Sequence, residues 1–220
     1  RSYLPDHPKT FARWAEQSRY ARFDLDGYWN QYFGESEAET VDVIPGKPGK
    51  PLLIFIHGGY WRMLSKDDSA MMAQSLHAAG ATVICLDYGL APAYRLPQIV
   101  AQCERALQWV HAHAAQFNGD PQRIHISGSS AGGHLSGMLL AADAQREQRL
   151  IHSASILSGV MDLHPILQTA VNDWLQLDEE QAQRYSPALH PPAQGVPVLV
   201  ALAFELWLNC NALFNHSNIR

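Results

Sequence analysis

Hydrophobic and polar positions alternate along this chain in two periods. Leu52-Leu53-Ile54-Phe55-Ile56, Ala81 to Leu86, Ala154 to Leu157 and Val196 to Ala203 are short, continuous apolar runs. Such runs, bounded by turn residues, suit strands buried on both faces of a parallel sheet. Val41-Asp42-Val43-Ile44 and Arg123 to Ser127 read as two further strands. Between the strands the period lengthens to that of a helix. Phe11, Trp14, Ala15 and Ser18 share one face of a helix predicted from Asp6 to about Phe23. Ser65-Lys66-Asp67-Asp68 has the form of a capping box and predicts a helix running to Gly80. Pro97 opens another, with Val100, Cys103, Ala106, Leu107 and Val110 inward and Asn118-Gly119 as its stop. A fourth covers residues 131–145. Strands alternating with helices imply βαβ units, so the expected class is α/β, a mostly parallel sheet with helices on both faces. Reactive groups in such sheets lie beyond the carboxyl ends of the strands.

Composition narrows the picture. In 220 residues, 47% of side chains are hydrophobic and 17% charged, against a usual charged share of about 25%. That balance supports one packed core and excludes a disordered chain or a coiled coil. A formal net charge of −5 without a run of three basic residues excludes nucleic acid and anionic membrane as partners. Three cysteines, Cys85, Cys103 and Cys210, form neither a disulfide framework nor a zinc knuckle. Their odd count implies free thiols and a cytoplasmic setting. The start at Arg1 reads as a processed chain or a fragment. Asn215-His216-Ser217 matches a glycosylation sequon by chance. Eleven histidines raise the question of a metal. No H-E-x-x-H occurs, His111 and His113 point to different helix faces, and His125 sits in a strand as a packing residue. Neither a metal nor a cofactor is expected.

The main chemical signal is Gly128-Ser129-Ser130-Ala131-Gly132, between the strand ending at Ser127 and a helix. This G-x-S-x-G in a strand–turn–helix setting is the pattern of a nucleophile elbow. Small residues two before and two after the serine permit a sharp turn that lifts Ser130 above the sheet. The helix start and the Ala131 amide then favour negative charge there. A second signal, His57-Gly58-Gly59-Tyr60-Trp61, follows the Leu52–Ile56 strand. In α/β hydrolases an H-G-G stretch supplies further oxyanion donors, here Gly58 and Gly59. His57 reads as structural and not as a base. Tyr60 and Trp61 are candidates either for the wall of an aromatic pocket or for packing.

Together with Asp87-Tyr88-Gly89-Leu90-Ala91-Pro92, Gly119-Asp120-Pro121, Ser158 to Leu163 and Ser186-Pro187, these motifs resemble the kynurenine formamidase (arylformamidase) branch of the α/β-hydrolase superfamily. The resemblance spans roughly residues 8–203, and H-G-G-Y-W is its most specific part. It implies a single α/β-hydrolase domain over residues 1–220, with an atypical tail at 204–220. It implies a serine hydrolase acting without a metal on N-formyl-kynurenine-like amides through an acyl-enzyme on Ser130. The expected partner is a small aryl formamide or ester, and homodimerisation is left open. The alternatives are a carboxylesterase of the same fold and a non-catalytic binding module on a hydrolase scaffold.

The resemblance ends after residue 203. In this fold the nucleophile is followed by an acid and then a histidine. Beyond Ala203 only Glu205 and His216 are candidates, and they are eleven residues apart. Asp162, His164 and Asp173 belong instead to a cap or connecting segment. The chain therefore reads as a truncated or frame-shifted member, lacking the last strand and the histidine loop, whose own activity is open. Val196–Ala203 is then an exposed apolar edge, covered in part at most by a short helix over 204–214.

Overall fold

A computed structural model describes residues 7–202. Glu205, His216, Cys210, the sequon and the helix expected over 204–214 lie outside the described residues. The elements run α1 (His7–Asp24), β1 (Tyr28–Tyr32), β2 (Thr40–Ile44), β3 (Lys50–Ile56), α2 (Ala73–Ala78), β4 (Thr82–Leu86), α3 (Leu96–His113), β5 (Gly119–Ser129), α4 (Ala131–Asp143), β6 (Ile151–Leu157), α5 (Asn172–Leu175), α6 (Glu179–Arg184) and β7 (Val198–Ala201). Among the described residues the strands form one sheet in the order β1-β2-β4-β3-β5-β6-β7. β1 and β2 run antiparallel to their neighbours, while β4, β3, β5, β6 and β7 are parallel. The sheet is thus mixed and mostly parallel, as the sequence predicts.

Register sets what meets at the carboxyl edge. Ile56 of β3 lies beside Leu86 of β4 and Gly128 of β5, and Ser129 lies beside Leu157 of β6. The next residues of each strand, His57, Asp87, Ser130 and Ser158, therefore leave the sheet at one level.

The core runs through the central strands, with Leu52, Ile54, Ile56, Ile84, Leu86, Ile124 and Ile126 buried. The amphipathic face read for α3 is buried at Val100, Cys103, Ala106, Leu107 and Val110. α4 is buried along nearly its whole length. At the other end of the sheet β7 pairs with β6, and its Leu199 and Val200 are exposed at 61% and 50%.

Three elements differ from the sequence expectation. β1 (Tyr-Trp-Asn-Gln-Tyr) has no clean alternation, and Asn30 breaks its register at φ 53°. The helix expected over 65–80 is two short 3₁₀ turns, Lys66–Asp68 and Ala70–Met72, followed by α2. Its capping box at Ser65 does form. Met71 N–H, which a continuous helix would bond to the carbonyl four residues back, donates instead to the Ser18 hydroxyl. β5 begins at Gly119 because Lys50 pairs there. No helix among the described residues is long and apolar enough to cross a membrane.

Candidate active site

Ser130 sits between β5 and α4 at φ 55°, ψ −115°. A side-chain-bearing residue rarely adopts this backbone, and it is held by its surroundings. The Ser130 amide donates to Leu157 O at 2.9 Å, and Ser130 O accepts the first helical bond of α4 from His134 N–H at 3.0 Å. The flanking glycines are dictated by space. A Cβ on Gly128 would lie 2.2 Å from Gly132 O, and one on Gly132 would lie 2.0 Å from Ile56 O. No side chain caps α4, so its positive end is not screened by a local acceptor from Ser130.

The loop after β3 closes over this turn. Gly59 has φ +100° and accepts from Arg62 and Met63 N–H, making a tight turn. Tyr60, Trp61 and Leu64 are also left-handed. His57 is buried and stacks on Tyr88, with centroids 4.2 Å apart and planes 8° apart. Its Nδ1 donates to Gly58 O at 2.8 Å. Its Nε2 lies 3.3 Å from Asp87 Oδ1. Burial would raise the Asp87 carboxyl, but His57, the Lys66 amide and the Lys66 ammonium outweigh it and hold it below the ordinary value. Asp42 shows the opposite balance, its burial raising the carboxyl despite Lys66 and Arg22.

A cavity of about 380 Å³ opens at Ser130. Gly58, Gly59, Tyr60 and Ser130 line it, as do Phe11 and Trp14 of α1. Ala131 does not, being fully buried at the first position of α4. The two aromatic candidates separate. Tyr60 is 57% exposed and faces the cavity, whereas Trp61 is fully buried and packs in the core. Trp61 is thus no part of the pocket wall, because its indole N–H is drawn inward to His134 Nδ1. The apolar face that Phe11 and Trp14 share on α1 thus serves the cavity, a role its helical spacing does not reveal.

Neither histidine beside the elbow has a free ring. His57 is engaged as described, and His134 lies between Trp61 and Tyr185 O. Asp162 and His164 pair at 2.7 Å in the segment between β6 and β7, and Asp173 lies on α5 in the same segment. His125 is bound between Ser153 and Ser155. His113 Nδ1 donates to Trp109 O of its own helix at 2.7 Å. Among the described residues no group of His, Cys, Asp and Glu side chains is arranged to hold a metal.

Comparison with known proteins places this geometry in context. Residues 53–202 match the family described as the alpha/beta hydrolase fold. A kynurenine formamidase from Danio rerio is 38% identical over 161 residues, which is 71% of this chain and 54% of that protein. One from Salmo salar is 37% identical over 184 residues, 79% of this chain and 61% of that protein. The chain thus spans less than two thirds of the length of either relative. Esterase LipC from Mycobacterium tuberculosis is 36% identical over 126 residues, 54% of this chain and 31% of that protein. A crystal structure of a proposed thioesterase from Silicibacter sp. superposes with a TM-score of 0.84 at 25% identity, covering 99% of this chain and 86% of that one. Esterase B from Lactobacillus rhamnosis superposes with a TM-score of 0.75 at 18% identity, covering 93% and 77%.

Proposed function

Because the chain belongs to the α/β-hydrolase fold family, related to kynurenine formamidases and esterases, we propose that it is a serine hydrolase with Ser130 as nucleophile. Its substrate in this reading is an aryl formamide of the N-formyl-kynurenine type. The observation that carries the reading is the backbone of Ser130 at φ 55°, ψ −115°, strained on a strand–helix turn at the mouth of an apolar cavity.

The chemistry follows from the parts. Ser130 Oγ bonds to the formyl carbon and gives up its proton to a base. The carbonyl oxygen becomes an oxyanion, stabilised by the amides of Gly58, Gly59 and Ala131. As the tetrahedral species collapses, the C–N bond breaks and the proton passes to the departing aromatic amine. Water then cleaves the formyl ester, releasing formate and restoring Ser130. For the acid and the base of this reading the sequence beyond Ala203 offers Glu205 and His216 respectively. Phe11, Trp14 and Tyr60 supply apolar and aromatic surface for an aryl group.

A fluorophosphonate probe tests the reaction class. Rapid labelling that disappears in Ser130→Ala supports an activated serine, and a folded sample that stays unlabelled supports a binding module instead. The esterase relatives favour carboxylester hydrolysis as a second reading. The ratio of kcat/KM for N-formyl-kynurenine to that for an aryl acetate decides between the two.

A further inference from the structure

The two glycine peptides facing Ser130 are held from behind. In a trans peptide the carbonyl and the following N–H point to opposite sides. Whatever grips the carbonyls of His57 and Gly58 therefore aims the amides of Gly58 and Gly59 the other way. The Tyr88 hydroxyl donates to His57 O at 2.9 Å and reaches Gly58 O at 3.4 Å. His57 Nδ1 donates to Gly58 O at 2.8 Å. Both donor groups come from one stacked pair of rings. Tyr88 and His57 are both buried, so water does not compete for the two carbonyls.

We infer that Tyr88 is a positioning residue, which with His57 fixes from the rear the direction of the Gly58 and Gly59 amides. This deepens the serine-hydrolase reading and rests on it for its catalytic consequence. Sheet register explains why the residue is available. Leu86 lies beside Ile56, so the chain leaving β4 runs next to the chain leaving β3, and two residues on Tyr88 reaches back under the loop. Burial drives the phenol well above its ordinary pKa, so it remains a donor throughout the working range. Asp87 supports the other ring through its contact with His57 Nε2. No step of bond making passes through either ring. Their effect is on donor direction, and thus on the transition state more than on substrate binding.

Tyr88→Phe keeps the ring stack and removes the hydroxyl. Full loss of an oxyanion donor costs about 10²–10³ in kcat. A donor left in place but no longer aimed should cost less, about ten- to hundredfold in kcat with KM unchanged. The stoichiometry of fluorophosphonate labelling stays at the wild-type value while its rate falls. His57→Phe retains the stack and removes the Nδ1 donor, and should lower kcat in the same way. A purely structural role would instead reduce the labelled fraction and the Tm. The amide resonances of Gly58 and Gly59 in a ¹⁵N-labelled sample give a readout free of substrate, and both should move in Tyr88→Phe. Unchanged kcat in both variants, or glycine resonances that stay in place, would overturn the inference. If wild-type Ser130 fails to label, the serine-hydrolase reading falls, and the glycine resonances still decide whether Tyr88 orients the loop.

Discussion

The imidazole of His134 accepts the indole N–H of Trp61 at 3.3 Å, with the two rings edge to face at 85° and 5.1 Å between centroids. His134 Nε2 lies 2.8 Å from Tyr185 O and must donate to it, because a carbonyl only accepts. The ring is thus confined to one neutral tautomer. Burial depresses its pKa to about 4, against the pull of the Tyr185 carbonyl in the other direction.

This pairing predicts an acid-sensitive fold. The unfolded chain binds a proton at His134 near pH 6.5 and the folded chain does so only near pH 4. Stability at His134 is therefore full above pH 6.5 and is lost as pH falls toward 4, by about 3 kcal/mol at the limit. Denaturant midpoints measured across this interval should fall in the wild type. In His134→Gln, which lacks the titration, the slope over the same interval should flatten. An equal slope in both proteins would assign the acid sensitivity to other groups.

The Ser130 backbone carries a cost that stability measurements can expose. A non-glycine residue held at positive φ costs on the order of 1–3 kcal/mol, and glycine removes that cost while adding chain entropy to the unfolded state. Ser130→Gly should thus be more stable than wild type by about 1 kcal/mol, and Ser130→Ala should not. Urea midpoints at neutral pH compare the three. Equal midpoints for the Gly and Ala variants would mean the turn is not strained.

Gly132→Ala should act in the opposite direction. Its Cβ would meet Ile56 O at 2.0 Å, and backbone cannot move aside as a flexible side chain can. Overpacking usually costs about 1–3 kcal/mol, and separating α4 from β3 here should cost at least that. Loss of soluble protein or a fall of several degrees in Tm is the expected result. Gly49→Ala is the control, since its Cβ would meet nothing within 4 Å and only its φ of +67° penalises the change.

The strand–turn–helix at Ser130 and the glycine turn after β3 were legible because each is local. Gly128, Ser130 and Gly132 constrain one turn, and His57-Gly58-Gly59 another, so spacing along the chain was enough. The central strands were legible for the same reason, as apolar runs. Trp61 was harder to read, because only the position of His134 seventy-three residues later shows that its N–H turns inward. Tyr88 carried no signal as a partner of His57, since their contact depends on the alignment of β3 with β4. The broken helix at 65–80 likewise involves a distant acceptor, Ser18, that a local pattern does not contain.

α1 provides the last prediction. Polar groups tie it down, with Arg22 paired to Asp42 at 3.3 Å and also bonded to Asp67, and with the buried Ser18 hydroxyl accepting from Met71. These anchors hold Phe11 and Trp14 against the cavity at Ser130. Aromatic pairing contributes about 0.5–1.5 kcal/mol beyond area burial, and about 1.4 kcal/mol corresponds to a factor of ten in binding. Trp14→Ala should therefore raise KM for N-formyl-kynurenine up to about tenfold. KM for a short alkyl ester, which has no ring to place, should change less than twofold. Because the role expected of Trp14 is to hold the aryl group and not to stabilise the oxyanion, kcat for both substrates should stay near wild type. An equal rise in KM for the alkyl ester would show that Trp14 shapes the cavity in general and does not select for aryl groups.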